Sequence, residues 1–212
     1  MFGNAFTLSY GAMASPLFDI LCIVRNGANT LPRLFKSLKE FQSRGGLVIV
    51  VDTGSSDDSP EVARSFGAEV TEVGERFMRT IDPVRADEIN DQFVVGDEAP
   101  IVQAGSRLFH FANARNFAAS LAHQDWVCWV DSDEAFVTLD IDKINAVIAD
   151  PEVVHLEYSF CYAWKQQMNV GDPGYPGEPA VEFIQSKMYR RCGEPGKRMR
   201  WRGIVHEVVE VY

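Results

Sequence analysis

Two rhythms alternate along the first part of this chain. Residues 19–24 (Asp-Ile-Leu-Cys-Ile-Val) form a short apolar run bounded by turn formers, which predicts a buried strand. Residues 47–51 form a second, with five apolar positions of which four are β-branched. Between them Leu31, Leu34, Phe35, Leu38 and Phe41 recur at helical spacing, with Pro32 near the start and Gly45-Gly46 at the end. A polar loop, Asp52-Thr-Gly-Ser-Ser-Asp-Asp58, follows the second strand. Ser59 is suited to cap the next helix, Pro60 to open it and Gly67 to close it, and residues 68–73 predict a third, shorter strand. The order β-α-β-α-β implies parallel strands joined by right-handed crossovers.

Residues 75–108 break this rhythm. They read as an inserted segment or flap, with a small hairpin expected from Phe93-Val-Val95 and Ile101-Val102. A helix is expected over 113–123, on an apolar stripe of Ala114, Phe117, Ala118, Leu121 and Ala122, with Arg115 and Asn116 in its first turn. A buried strand over 126–130 and a helix capped by Asp140 and closed before Pro151 come next. Residues 153–162, 181–190 and 203–211 are strand-like, and 171–177 form a turn-rich loop. The fold class expected is α/β: a mostly parallel central sheet flanked by helices, with an antiparallel portion toward the C-terminus. The chain reads as one domain over 1–212, with an N-terminal extension at 1–18 and the insert at 75–108.

The chemistry concentrates where the strand at 126–130 stops. Trp126-Val-Cys-Trp-Val130 runs directly into Asp131, Ser132, Asp133 and Glu134. Carboxylates are seldom buried unless paired or bound to metal, and ligands of open α/β sheets sit at the carboxyl ends of strands. Alternate residues of an extended segment point the same way, so Asp131 and Asp133 form a D-x-D pair able to hold a hard divalent cation, and through it phosphate oxygens. A strand end followed by an acidic turn is the competing reading. Tight turns after the first two strands place Asn26 and Asp52 on the same edge.

Composition narrows the function classes. A formal net charge of −10 argues against a nucleic-acid polymer as partner. Arg190, Arg191, Lys197, Arg198, Arg200 and Arg202 make a local basic cluster, read either as a solvated face or as a site for an anionic acceptor. Cys22, Cys128, Cys161 and Cys192 are widely spaced without a Cys-x-x-Cys, which favours a reducing, cytoplasmic compartment with the option of peripheral membrane contact. No apolar stretch reaches the roughly 20 residues of a membrane-spanning helix, and 1–15 lack the features of a secretory signal.

Five blocks occur in order: Ile-Val-Arg-Asn26, Val-Val-Asp-Thr-Gly-Ser55, Phe-Ala-Asn-Ala-Arg-Asn116, Trp-Val-Asp-Ser-Asp-Glu134 and Trp-Arg-Gly-Ile-Val-His-Glu207. Together they resemble the blocks of family 2 glycosyltransferases of the GT-A fold, over residues 19–207 apart from the insert. The resemblance implies an inverting transferase that uses a nucleotide-diphosphate sugar, a UDP-sugar foremost, with Mn²⁺ or Mg²⁺, and a glycan, lipid or protein acceptor. By position it implies that Asp52 contacts base or ribose, with Asn26 beside it. Arg115 and Asn116 would lie near the diphosphate, Asp131 would reach ribose or metal, and Asp133 and His206 would be metal ligands. Glu207 is the first candidate for the base that takes the acceptor's proton. In a regular strand Glu207 points away from His206, so Glu134 and Glu182 stand as fallbacks. The insert replaces a connection that commonly helps hold the nucleotide. The Gln-x-x-Arg-Trp motif of polymerising members is absent, which argues against a processive synthase.

Blander roles compete at each position. Asp52 reads equally as a turn former, Arg115 as a surface cation and His206 as a satisfied strand histidine. Trp201 and Tyr175 read as packing aromatics or as platforms for an acceptor sugar. Two other functions compete as well. A nucleotidyltransferase would need a glycine-rich phosphate loop, and Arg25-Asn-Gly-Ala28 has one glycine. A non-catalytic carbohydrate- or partner-binding module is disfavoured by the retention of Asp52, Arg115, Asp131, Asp133 and His206 together.

Overall fold

The computed structural model describes residues 14–96, 98–164, 179–191, 199–202 and 208–211. In chain order the elements are β1 (Phe18–Val24), α1 (Leu31–Ser37), α2 (Lys39–Ser43), β2 (Val48–Asp52), α3 (Ser59–Ser65) and β3 (Glu69–Glu72). The insert carries β4 (Met78–Thr80), α4 (Pro83–Phe93) and β5 (Arg107–Phe109). Then follow α5 (Phe111–Ser120), β6 (Trp126–Asp131), α6 (Ile141–Ile148), β7 (His155–Trp164), β8 (Pro179–Arg190), β9 (Met199–Arg202) and β10 (Val208–Val211).

The central sheet has the order β3-β2-β1-β6-β8-β7. Its first four strands are parallel, β8 runs antiparallel to β6, and β7 antiparallel to β8. This is the α/β architecture expected, including the antiparallel portion. Along β1 the residues Phe18, Ile20, Cys22 and Val24 face one core with α1, α2, α3 and α6. Leu21 faces a second core with α5, Tyr189 and Trp201. Burial on both faces explains why β1 and β2 read as unbroken apolar runs rather than as alternating ones. The chain winds outward from β1 to β3 and then returns to the other side of β1 as β6. The carboxyl ends of β1 and β6 therefore flank the switch point at which open α/β sheets bind ligands.

The insert differs from expectation. Phe93 is the last residue of α4, and the local two-stranded ribbon is made by β4 and β5 instead. Asp82-Pro83 is the reason: the Asp82 carboxylate accepts from the Arg85 amide and Pro83 fills a first-turn position. The helix so begun carries Phe93, Val94 leaves it in extended conformation, and the Asn90 side chain binds the backbone of Ile101 and Val102. The helix expected across Leu31 to Phe41 is divided at Leu38, which has φ −98 and ψ 5. Among the described residues no helix is long and apolar enough to cross a membrane.

Phe35 is buried in the first core and stacks on Phe66 at a centroid distance of 5.0 Å. Phe35→Ala is expected to destabilise the protein by about 3–5 kcal/mol, read from urea unfolding.

Candidate functional site

Two loops are tied together at the carboxyl ends of β1 and β2. Thr53 donates from both its amide and its hydroxyl to the Val24 carbonyl, each at 2.9 Å. Asn26 takes a left-handed conformation, φ 55, which asparagine tolerates better than most residues. Its amide donates to Ser55 Oγ, and its side-chain oxygen accepts from the Ser56 amide at 2.8 Å. The Gly27 amide donates to the buried Ser59 hydroxyl at 2.8 Å, and the Ala28 amide to Asp57 at 3.1 Å. Ser59 in turn donates to the Asp57 carboxylate. That hydroxyl holds the Asp57 carboxyl below its ordinary value; partial burial opposes the shift, and the amides of Ala28 and Ser59 reinforce it.

Asp52 ends β2 and is buried. Its carboxylate accepts from the amides of Gly54 and Ser55 at 3.0 and 3.1 Å and from the Ser55 hydroxyl. It therefore organises its own loop.

The acidic tip of β6 is a closed turn. The Glu134 amide donates to the Asp131 carbonyl at 3.0 Å, and the Asp131 amide donates back to the Glu134 carboxylate at 2.9 Å. Both Glu134 oxygens also accept from Lys187 Nζ, which reaches them from the antiparallel strand β8. Burial pushes the Glu134 carboxyl up, and the Lys187 charge and hydrogen bond pull it back down. From the opposite side, Arg33 of α1 donates to the Asp133 carbonyl. The Asp133 side chain is exposed and that of Asp131 is 46% exposed.

Arg115 lies between two indoles. Its guanidinium carbon is 3.8 Å from the Trp129 ring centroid and 4.5 Å from that of Trp201, and Nη2 lies 3.5 Å from Asp131. The cation is thus held beside the acidic tip by ring faces. Helix α5 begins at Phe111, capped by His110, so Arg115 lies one turn past the amide groups that favour anions rather than among them. Asn116 is engaged differently from the expectation of a diphosphate contact. Its side chain donates to the Trp201 carbonyl at 2.8 Å and accepts from the Trp201 amide at 2.9 Å, bridging α5 to β9.

The structure thus gathers Asn26, Asp52, Arg115, Asp131 and Asp133 on one edge of the sheet, with Asn116 behind them as a bridge. The expected metal ligand His206, the expected base Glu207, and Tyr175 lie outside the described residues. Among the described residues no group of three or more His, Cys, Asp or Glu side chains is placed to hold a metal ion. The expectation that Asp131 and Asp133 point the same way as alternate residues of an extended strand does not hold, because the chain turns at 132 and 133; Asp131 lies beside Arg115 and Asp133 is exposed.

The fallback bases are already engaged, Glu134 by Lys187 and Glu182 by the Ser159 hydroxyl. Trp201 is buried against Trp129 and Tyr189, which is the packing role. Arg190 and Arg191 are not a solvated face. Arg190 donates to the carbonyls of Pro151 and Asp150, and Arg191 to those of Gln124 and Ala122. Burial pushes the Cys128 thiol up to about 12 and that of Cys22 higher still, so neither supplies a thiolate nucleophile beneath the acidic tip. Lys187, Trp129 and Arg33 are contributors that sequence reasoning missed. The available signal for Lys187 was a lysine directly before Met188-Tyr189 in a strand-like run.

No family model matches the chain. A TPR repeat-containing protein of Synechococcus elongatus is 29% identical over 135 residues, which is 63% of this chain and 25% of that protein. Among solved structures, TarS of S. aureus matches with a TM-score of 0.42 and 18% identity, over 65% of this chain and 20% of that one. Mannosyl-3-phosphoglycerate synthase from Rubrobacter xylanophilus matches with a TM-score of 0.40 and 19% identity, over 66% and 38%. A mannosyltransferase from Pyrobaculum calidifontis in complex with GDP-Man and Mn²⁺ matches with a TM-score of 0.42 and 20% identity, over 68% and 35%. The chain spans a quarter of the curated relative's length and well under half of each of these structures. Likeness at this level carries no argument about activity, so the functional reading rests on the residues themselves.

The link between the two loops is open to direct measurement. Ser59→Ala strands the Gly27 amide and is expected to cost about 1–3 kcal/mol in urea unfolding at neutral pH. The folded Asp57 carboxyl titrates below its unfolded value, so the stability it contributes is present at neutral pH and lost as pH falls through the lowered value. The gap between wild type and Ser59→Ala is therefore expected to narrow in acid. A methyl at Gly27 would lie 2.6 Å from Val24 Cγ2 and 3.1 Å from Ser132 Oγ. Gly27→Ala is expected to cost about 1–3 kcal/mol through overpacking.

Proposed function

We propose that this chain is a metal-dependent glycosyltransferase. It moves a sugar from a nucleotide-diphosphate sugar, a UDP-sugar foremost, to a glycan, lipid or protein acceptor with inversion. One observation carries the reading. In the register of the parallel strands, Asp52 lies opposite Val24 and Asp131 opposite Ile23, so the two carboxylate-bearing strand ends meet level at the switch point. The resemblance of the five sequence blocks to family 2 glycosyltransferases supports the same reading.

Each group then has a role. Asn26 and Asp52, on the two joined loops, take the base and ribose. Arg115 attracts the diphosphate, and Asp131 orients the ribose or the adjoining phosphate. Asn116 acts through β9, holding Trp201 and hence one wall of the Arg115 cage. Asp133, together with His206, would hold a Mn²⁺ or Mg²⁺ ion. When bound, that ion supplies neutralisation of the charge that develops on the departing nucleoside diphosphate. Glu207 removes the proton of the acceptor hydroxyl as its oxygen attacks the anomeric carbon, in a single displacement.

The test is release of UDP or GDP from a panel of UDP- and GDP-sugars with Mn²⁺. Release of pyrophosphate from a nucleoside triphosphate instead would indicate nucleotidyl transfer. Asp133→Asn is expected to abolish Mn²⁺-dependent nucleotide binding while unfolding stays cooperative; undiminished metal-dependent transfer would refute the assignment. Glu207→Gln is expected to bind nucleotide normally and to lose transfer by about 10²–10⁴-fold, the contribution of a positioned base. Transfer near the wild-type rate would place the base elsewhere.

A further inference from the structure

The most conspicuous charge that the proposed chemistry leaves unused is Lys187. Its side chain is only 3% exposed, on β8 beside the Met188–Cys128 register pair, and Nζ lies 3.9 Å from the Trp129 ring centroid and 4.9 Å from that of Phe160. It meets both oxygens of Glu134, which is itself only 16% exposed. Glu134 spends its remaining hydrogen bond on the Asp131 amide. A buried ion pair is a poor source of stability, because desolvating both charges cancels much of their attraction. Such a pair is better explained by what it fixes.

We propose that Lys187 is a positioning residue for the acidic tip: by clamping Glu134 it closes the Asp131–Glu134 turn, so that the carboxylates of Asp131 and Asp133 are presented together at the sheet edge. The role of those carboxylates as donors to a nucleotide–metal complex rests on the transferase reading above; the clamping of the turn does not. Charge and geometry agree. Residues 131–134 carry three carboxylates. Lys187 neutralises Glu134, the inward one; Asp131 lies beside Arg115, and Asp133 is exposed. Arg33 holds the Asp133 carbonyl from the α1 side, so the turn is pinned from both faces of the sheet. Lys187 also shares the Trp129 ring with Arg115, so the same aromatic side chain orders the clamp and the nearby cation.

The experiment compares wild type with Lys187→Met and Lys187→Arg. It also includes the double variant Glu134→Gln with Lys187→Gln, which folds without a stranded charge should Lys187→Met fail to fold. Backbone hydrogen exchange is read over residues 129–136 and, as a control, over β2. UDP binding is measured by calorimetry with and without Mn²⁺. In Lys187→Met and in the double variant, protection of the Asp131 and Glu134 amides is expected to fall at least about tenfold while β2 is unchanged. The gain in UDP affinity brought by Mn²⁺ is expected to fall about tenfold, while UDP affinity without Mn²⁺ stays put, a split that general loosening of the fold would not give. Lys187→Arg is expected to recover both readouts to within about threefold, because it keeps a charged donor to Glu134. Wild-type protection of the turn in the double variant overturns the proposal, whatever the binding data. If wild type itself shows no Mn²⁺-dependent UDP binding but the turn still loses protection without Lys187, the clamp stands and the transferase reading falls.

Discussion

Strand β1 hydrogen-bonds to a parallel neighbour on each side, and the placement of every residue at the sheet edge follows from that. A strand buried on both faces has no water to satisfy its backbone, so both of its edges must be paired. Pairing Ile20 with Val48 on one side and with Cys128 on the other fixes the heights of β2 and β6 against β1. The ends of those strands, Asp52 and Asp131, then emerge level with Val24 and Ile23. The register is held by the side chains. A slip of one residue would turn Phe18, Ile20, Cys22 and Val24 away from the helices that cover them and drive Asp19 into that core. Apolar packing deep in the sheet thus decides which carboxylates meet at its rim.

Burial sorts those carboxylates into two kinds. Asp19 is buried and accepts from the amides of His123 and Gln124. Asp52 is buried and accepts from two amides and a hydroxyl. Glu134 has Lys187 and the Asp131 amide. Each inward acid has internal partners, as the cost of desolvating an unpaired carboxylate requires. Asp131 is half-exposed with Arg115 beside it, and Asp133 is exposed.

Much of this was legible in the sequence, for a physical reason. The unbroken runs at 19–24 and 47–51 announce strands covered on both faces, and tight polar loops after them fix which residues lie at the carboxyl ends. Asn26, Asp52, Asp131 and Asp133 follow from that logic with no tertiary information. What stayed hidden depends on partners distant in sequence. Nothing in the Asp52 loop tells whether its carboxylate turns inward or outward. Asn116 reads as a polar residue near a helix start, and only the arrival of β9 makes it a bridge. The insert misled because Phe93, Val94 and Val95 favour strand, whereas the helix begun at Asp82-Pro83 takes in Phe93 and its Asn90 side chain ties down the backbone of Ile101 and Val102. Arg190 and Arg191 looked like surface charge because the carbonyls they bind belong to loops that periodicity does not describe.

The parallel half of the sheet supplies the acids, and the rest of the chain supplies most of what balances them. Lys187 comes from antiparallel β8, Arg115 from α5, and the Trp201 wall of the Arg115 cage from β9. Trp129 joins these contributions, since its ring carries Lys187 at 3.9 Å and Arg115 at 3.8 Å. Each of the two cations lies beside an acid. Lys187 meets both oxygens of a largely buried carboxylate at hydrogen-bonding range. Arg115 lies 3.5 Å from Asp131, with its guanidinium between two indole faces. Indole faces on both sides hold the guanidinium plane in one orientation. The antiparallel portion therefore does more than close the sheet: it sets one cation on Glu134 and helps hold another between indoles beside Asp131.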